Sequence, residues 1–571
     1  LFSAGLIADT DPKENEMMQM TGAELIVRLL ERQGVRTVAG IPGGAILPLY
    51  DALSGSESIR HVLARHEQGA GFIAQGMARV SGRPEVCFAS SGPGATNLVT
   101  AIADAMLDSI PMVAITGQVP LPMIGTDAFQ EVDIYGMTVP ITKHNFLVRC
   151  ASELLEVIPA AFRIAMSGRP GPVLVDVPKD VQNQLVSFAE LPPPVVPDSL
   201  PGVDLAAIEE AARMINEAER PVLYLGGGVI HANASSLAVT LAEQAGLPTT
   251  MTLMGLGAMP VDHPLSLGML GMHAARYTNY VLEEADLLIC VGARFDDRAI
   301  GKAAQFCPRA NIVHIDIDPS ELNKIKAAHV AINGDVAAVL ETLLPRIRVA
   351  LRKRWLSHVE SLKSRFPMEM PALDDPRSHY GLVHAVAAAL DDNAIITTDV
   401  GQHQMWVAQA YPLRRPRQWL TSGGLGTMGF GLPAAIGAAL AAPQRTVVCF
   451  SGDGSLKMNI QELATLAEEG LNVKIVLMNN NALGLVYQQQ NLFYGKRVFA
   501  SRYRSAPDFC KIAEGFGIAA VDIDTAGNPR AALAQALTEP GPCLIHVSVD
   551  REQFVYPMVP PGAANTEMIG G

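Results

Sequence analysis

Short runs of apolar residues alternate with longer amphipathic stretches along the chain, a pattern that predicts parallel strands buried on both faces and helices that cover them. Val447 to Phe450 reads as one such strand, Asn459 to Glu469 as the helix after it, and Val473 to Met478 as the next strand. Together they predict a βαβ unit. At the carboxyl ends of its strands stand Gly452, Asp453, Gly454 and Ser455, then Asn479 and Asn480, with Asn480 27 residues after Asp453. Open α/β sheets bind ligands at those ends, so Asp453 and Asn480 are predicted to converge on one ion. Oxygen donors carrying so little charge suit Mg²⁺, which completes its octahedron with phosphate oxygens and water. A Gly-Asp-Gly turn is also common as plain punctuation; the asparagine pair at this spacing favours the ligand.

The same alternation predicts an α/β fold in three parts. Pro-rich breaks at 191–201 and 366–378 cannot sustain a helix or a central strand. They leave a leading segment 1–20, predicted to be a disordered extension, followed by 21–188, 202–350 and 378–571. Residues 61–79 read as a strand turning into a helix whose small face is Ala70, Ala74 and Ala78. Glu67 would open that helix, where the macrodipole favours a carboxylate; taken alone, it is an ordinary helix-end charge. Residues 422–442 carry no charge and reach membrane-spanning length, but Gly423, Gly424, Gly426, Gly429, Gly431 and Pro433 break them, which predicts a buried loop entering a helix.

Composition narrows the function. With 571 residues, 49% hydrophobic and 18% charged, the chain can bury several cores. A net charge of -14 repels phosphate backbones and anionic lipid, which argues against nucleic acid and membrane partners. Seven scattered cysteines with no CxxC favour a reducing compartment over disulfides or zinc. Asp9, Asp11, Glu14 and Glu16 make the start a poor signal peptide, so a cytoplasmic location is expected.

The Asp453 and Asn480 pair resembles the diphosphate–Mg²⁺ motif of thiamine-diphosphate enzymes, and the resemblance implies the Ala482 carbonyl as a third metal ligand. Segments 40–48, 65–70, 91–97, 117–120, 125–131, 169–172 and 399–404 are similar to the catalytic subunit of acetohydroxyacid (acetolactate) synthases, most closely the isozyme I type. The likeness runs in order from about residue 20 to 571. It implies three doubly wound parallel-sheet domains: pyrimidine-binding at 21–188, FAD-binding at 202–350 and diphosphate-binding at 378–571.

The implied reaction decarboxylates pyruvate on thiamine diphosphate and joins the two-carbon unit to pyruvate or 2-ketobutyrate, giving 2-acetolactate or 2-aceto-2-hydroxybutyrate. Such catalysis needs a carboxyl group on the pyrimidine ring nitrogen, and Glu67 takes that role by resemblance. Pro42, Gly43, Gly44, Ser91 and Asn97 fall on cofactor positions of the same domain, and Val400, Gly401, Gln402, His403, Gly426, Leu483 and Gly484 on those of the diphosphate-binding domain. Met428 resembles the residue beneath the thiazolium; without the family it reads as packing. Phe129 and Gln130 match active-site positions. Lys179 matches a lysine near the substrate channel, with a surface salt bridge as its alternative. Arg298 matches the arginine that receives the second keto acid's carboxylate, although an Arg beside Asp296 and Asp297 is more often a solvated ion pair. Gln489 stands where many relatives carry a tryptophan against the extra methyl of 2-ketobutyrate, so little bias toward that substrate is expected.

In the middle segment no complete G-x-G-x-x-G appears. The positions Gly227, Gly228, Thr252, Leu253, Met254, Gly271, Met272, His273, Gly292, Arg294, Asp296, Asp316, Ile317, Asp335 and Val336, with Arg169, nevertheless resemble the FAD-binding set of the biosynthetic synthases. The resemblance also implies a homodimer or higher homo-oligomer in which Glu67 of one chain meets the diphosphate site of another, and a separate small regulatory subunit mediating valine feedback. Two rivals stay open: a flavin-dependent pyruvate oxidase on the same scaffold, and a noncatalytic cofactor-binding regulator.

Overall fold

The computed structural model describes residues 17–200 and 202–570. Most of the expected extension 1–20 lies outside the described residues, and its described end corrects that expectation. Met18–Thr21 (β1) pairs antiparallel with Leu185–Phe188 (β8), Met18 opposite Phe188 and Thr21 opposite Leu185. Thr21 then caps the helix Gly22–Arg32 in a capping box with Glu24, which fixes where the strand must end.

Three six-stranded parallel sheets follow, each flanked by helices. The first holds Thr37–Gly40 (β2), Arg60–Leu63 (β3), Glu85–Ala89 (β4), Met112–Gln118 (β5), His144–Leu147 (β6) and Pro172–Pro178 (β7), in the order β3-β2-β4-β5-β7-β6. The second holds Pro221–Leu225 (β9), Thr249–Met251 (β10), Ser266–Met269 (β11), Leu287–Val291 (β12), Asn311–Asp316 (β13) and Val330–Asn333 (β14), in the order β11-β10-β9-β12-β13-β14. The third holds Ile395–Thr398 (β15), Trp419–Leu420 (β16), Val447–Gly452 (β17), Val473–Asn479 (β18), Ala519–Asp522 (β19) and Cys543–Ser548 (β20), in the order β16-β15-β17-β18-β20-β19. The first and third sheets therefore share one strand order, while the second has the dinucleotide-fold order. In each, the winding reverses beside the first strand, between β2 and β4, β9 and β12, and β15 and β17. A crevice opens there at the carboxyl ends.

The first and third units pack through the helices Glu67–Ser81 and Gly431–Ala441. Both contribute to one apolar core that also takes in Val447 and Ile475 of the third sheet. Phe72 meets Phe430 edge to face with ring centres 5.3 Å apart, and the Arg79 guanidinium lies 4.9 Å from the Phe430 ring. The uncharged stretch 422–442 is a loop followed by this helix, as its glycines predict. No helix among the described residues is long and apolar enough to cross a membrane. The seven cysteines are free, and five of them are buried.

One boundary moves. The helix expected from Asn459 begins at Glu462, because the Asn459 amide donates to the Gly429 carbonyl at 2.6 Å and holds residues 457–461 in a turn against that loop.

Candidate active site

A pocket of about 210 Å³ opens beside the reversal point of the third sheet. Its walls are Val400, Gly401, Gln402 and His403 after β15, Gly452 to Ser455 at the end of β17, and Asn480, Ala482, Leu483 and Gly484 after β18, with Gly426 and Met428 from the preceding loop. Asp453 is 1% exposed, and its Oδ1 has no hydrogen-bond partner. Its Oδ2 faces Lys457 Nζ at 3.4 Å, and that ammonium lies 3.6 Å from the centre of the Tyr503 ring. Burial raises the Asp453 carboxyl above its usual range, with Lys457 and the Asn480 backbone opposing.

The Asn480 amide is fixed from both sides, Nδ2 donating to Gln402 Oε1 at 3.0 Å and Oδ1 accepting from Ala482 N–H at 3.1 Å. His403 Nε2 is also buried without a partner, and burial drives this imidazole down to about 3, so the ring is neutral. An unpaired buried carboxylate oxygen beside an oriented amide is a donor set that a divalent cation satisfies, and the residues fit a metal-bound diphosphate.

Glu67 opens its helix as predicted, with His66 as the N-cap. Its Oε2 accepts from Asn97 Nδ2 at 2.9 Å. The turn carrying Pro42, Gly43 and Gly44 follows β2, and Ser91 follows β4, so these residues flank the reversal point of the first sheet. Ser90, next to Ser91, has a buried hydroxyl without a partner. Gln130 stands at φ 61° with its backbone against Gly92, whereas Phe129 is 88% exposed. Lys179 is half-buried at the end of β7. None of these residues borders the Asp453 pocket.

A larger cavity, about 1230 Å³, lies among all three units. It is bordered by Gly227 and Gly228 after β9, Thr252, Leu253 and Met254 after β10, and Gly292, Arg294 and Asp296 after β12. Met272, His273, Asp316, Ile317, Asp335, Val336 and Arg169 also border it. Gly271 does not; it packs on the backbone of Arg298 and Ala299. Gly228 and Gly292 meet across the reversal point so closely that a Cβ on Gly228 would lie 2.8 Å from Gly292 Cα. That leaves backbone, rather than side chains, facing the cavity. Burial raises the Asp316 carboxyl to about 6.

Arg298 and Gln489 border the same cavity, and Val400, Gly426 and Leu485 border both cavities. The side chain of Arg298 is 64% exposed, and its contact to Asp297 is a loose 3.8 Å. The guanidinium therefore remains available to an anion.

Sequence reasoning missed the struts beneath this shared wall. Asp104 Oδ1 accepts from the Ser422 hydroxyl and from Thr427 Oγ1 at 2.9 Å. Asp108 accepts from Gly423 N–H at 3.1 Å and Gly424 N–H at 2.7 Å, and pairs with Arg79 at 2.8 Å. Burial and the neighbouring Asp108 raise Asp104 to about 6, with Arg79 opposing. These buried groups hold the loop that carries Gly426 and Met428. Asp108→Ala is expected to cost about 3 kcal/mol by removing the nearer of the two buried carboxylates that pair with Arg79 and leaving the Gly423 and Gly424 N–H groups without an acceptor, read as a lowered denaturation midpoint with faster proteolysis within 422–428. An unchanged midpoint would contradict it. In the sequence, Asp104 and Asp108 look like the polar face of an ordinary helix.

Three family models match the chain: "Thiamine pyrophosphate enzyme, N-terminal TPP binding domain" over residues 20–137, "central domain" over 208–343 and "C-terminal TPP binding domain" over 399–547. The chain is 65% identical over 552 residues to the acetolactate synthase isozyme 1 large subunit of Escherichia coli (strain K12), covering 97% of this chain and 98% of that protein. It is 48% identical to the isozyme 2 large subunit of the same organism, covering 96% of this chain and 99% of that protein. It is also 48% identical to the acetolactate synthase large subunit of Parasynechococcus marenigrum (strain WH8102), covering 97% and 92%.

Proposed function

The chain belongs to the acetolactate synthase family of thiamine pyrophosphate enzymes, as a large catalytic subunit, and from that membership we propose how its residues divide the reaction. The enzyme decarboxylates pyruvate and joins the two-carbon unit to a second 2-keto acid in branched-chain amino acid biosynthesis. When bound, thiamine diphosphate supplies the carbanion chemistry.

Asp453, Asn480 and the Ala482 carbonyl would hold Mg²⁺, and the buried His403 ring would lie beside the diphosphate. The observation that carries this assignment is the unpaired, buried Asp453 Oδ1 beside the fixed Asn480 amide. Glu67 would share a proton with the pyrimidine ring nitrogen, and Asn97 steadies its carboxylate. Glu67 does not border the Asp453 pocket of its own chain. We assign it to the pocket of a second copy, which makes the working unit a homodimer. Phe129, exposed in the single chain, and Gln130 are assigned to that shared site. Met428 supports the thiazolium from the wall next to Gly426.

FAD occupies the larger cavity. Supporting this are the reversal point of the second sheet, the bare backbone at Gly228 and Gly292, and a volume above the usual 300–1,000 Å³ of small-ligand pockets. Arg298 receives the carboxylate of the second keto acid through its fork of donors. A clamp of this kind has no use in an oxidase that passes electrons to oxygen or quinone, and intact Glu67, Asp453 and Asn480 argue against a noncatalytic regulator. A small regulatory subunit is the expected partner and the cytoplasm the expected location.

Product analysis with pyruvate and 2-ketobutyrate together, omitting thiamine diphosphate, Mg²⁺ and FAD in turn, tests this assignment. Each omission should abolish or sharply lower hydroxyacid formation, and an unaffected yield removes that cofactor from the account. Gln489→Trp is expected to raise the preference for 2-ketobutyrate over pyruvate by about tenfold or more, because one buried methyl is worth roughly 1–3 kcal/mol. Competition kinetics showing a strong preference already in the unaltered enzyme would contradict the assignment of Gln489.

A further inference from the structure

Glu462, the first residue of the helix Glu462–Glu469, is 0% exposed and lies nine residues after Asp453 in the third unit. Its carboxylate crosses to the first unit. Oε1 accepts both the Arg65 and the His66 backbone N–H at 3.0 Å, and Oε2 accepts from Thr465 Oγ1 at 2.7 Å. His66 is the N-cap of the helix that Glu67 opens, and its Nδ1 accepts from Gln68 N–H at 3.1 Å. The helix's own ladder begins later, with Ala70 N–H bonding the His66 carbonyl. The backbone just before Glu67 is therefore held from outside the first unit.

The approach is tight. A Cβ on Gly69 would lie 2.4 Å from Glu462 Oε1, so the first helical turn is shaped around this carboxylate. Two further carboxylates of the same helix pair with the same corner, Glu468 with Arg65 and Glu469 with Arg60. Their arginines reach solvent, where such pairs are weak. Glu462 is dry, and charge-assisted bonds to backbone N–H are strong in that setting.

We propose that Glu462 is a positioning residue for the reaction: by fixing the Arg65 and His66 backbone, it sets the height and direction of the Glu67 carboxylate toward the pyrimidine ring. This rests on the reading of Glu67 as the activating group. It assigns the βαβ unit that carries Asp453 a second task, in the other half-site.

The test compares Glu462→Ala, Glu462→Gln and Glu67→Gln. The first readout, in cofactor-free protein, is amide hydrogen exchange of the 63–68 peptide, which should lose protection in Glu462→Ala. The second, in holoenzyme, is proton–deuterium exchange at C2 of bound thiamine diphosphate. Glu462→Ala should slow it by about 10- to 100-fold, the scale of a misplacement near 1 Å, while the affinity for Mg²⁺ and cofactor stays within about threefold. Glu462→Gln, whose amide oxygen still accepts both N–H groups, should restore protection and exchange.

Wild-type exchange in Glu462→Ala beside slow exchange in Glu67→Gln overturns the proposal. So does a Glu462→Gln as impaired as Glu462→Ala, or a loss of exchange matched by an equal loss of cofactor affinity. Normal exchange in Glu67→Gln would instead remove the reading of Glu67, and the proposal with it. Should Glu462→Ala fail to fold, Glu462→Asp, one methylene short of the N–H groups, is expected to show the same slowing, and wild-type exchange there overturns the proposal.

Discussion

Glu67→Gln is expected to lower the rate of acetolactate formation by about 10²- to 10⁴-fold, the usual contribution of a positioned proton-transfer group. The substitution keeps the size of the side chain and an oxygen for Asn97 Nδ2, which now bonds Oε2 at 2.9 Å. What it removes is a group that can share a proton with a ring nitrogen. Affinity for Mg²⁺ and thiamine diphosphate should remain near wild type, because the residues that grip them lie after β15, β17 and β18. Steady-state kinetics with saturating cofactor, paired with calorimetric titration, separates the two quantities. Turnover within threefold of wild type would remove Glu67 from the chemistry.

Asp453→Ala should act on the other quantity. Residues that merely orient metal ligands are worth about 10- to 100-fold in metal affinity, so loss of the one charged ligand should weaken Mg²⁺ by at least about 100-fold. Lys457 offers no substitute, since an ammonium beside the diphosphate cannot bring the Asn480 amide and the Ala482 carbonyl into one coordination shell. Cofactor titrations at increasing Mg²⁺ should show binding displaced to far higher metal concentration. Wild-type affinity at low Mg²⁺ would rule Asp453 out as a ligand.

The parts of this site that are legible in the sequence are those whose chemistry is written in consecutive residues. An apolar run ending in Gly452, Asp453 and Gly454 announces a strand and the donor at its end, and Asn480 follows at the distance one βαβ unit requires. Strand order is different, because pairing partners lie far apart in the chain. Nothing local tells β15 that its neighbours are β16 and β17, so the shared order of the first and third sheets is visible only in three dimensions. Glu462 and Asp104 were hidden for a related reason. Each looks like a helix residue with an acidic side chain, and its role depends on backbone or hydroxyl groups more than 300 positions away. Met18 to Met20 misled because a few residues behind an acidic stretch resemble the end of a tail, and their partner strand, β8, lies far along the chain. The helix start at Asn459 failed because that amide bonds Gly429 rather than its own helix.

The assignment of Glu67 and Asp453 to different chains carries the rest, and subunit mixing tests it most directly. Chains carrying Glu67→Gln, and chains carrying Asp453→Ala at low Mg²⁺, should each show little activity alone. If one cofactor is gripped by both chains, a mixed dimer has one site with both defects and one with neither, and random mixing should restore about a quarter of wild-type activity. Mixed dimers that form and yet remain inactive would mean that both carboxylates act within a single chain, contrary to this account.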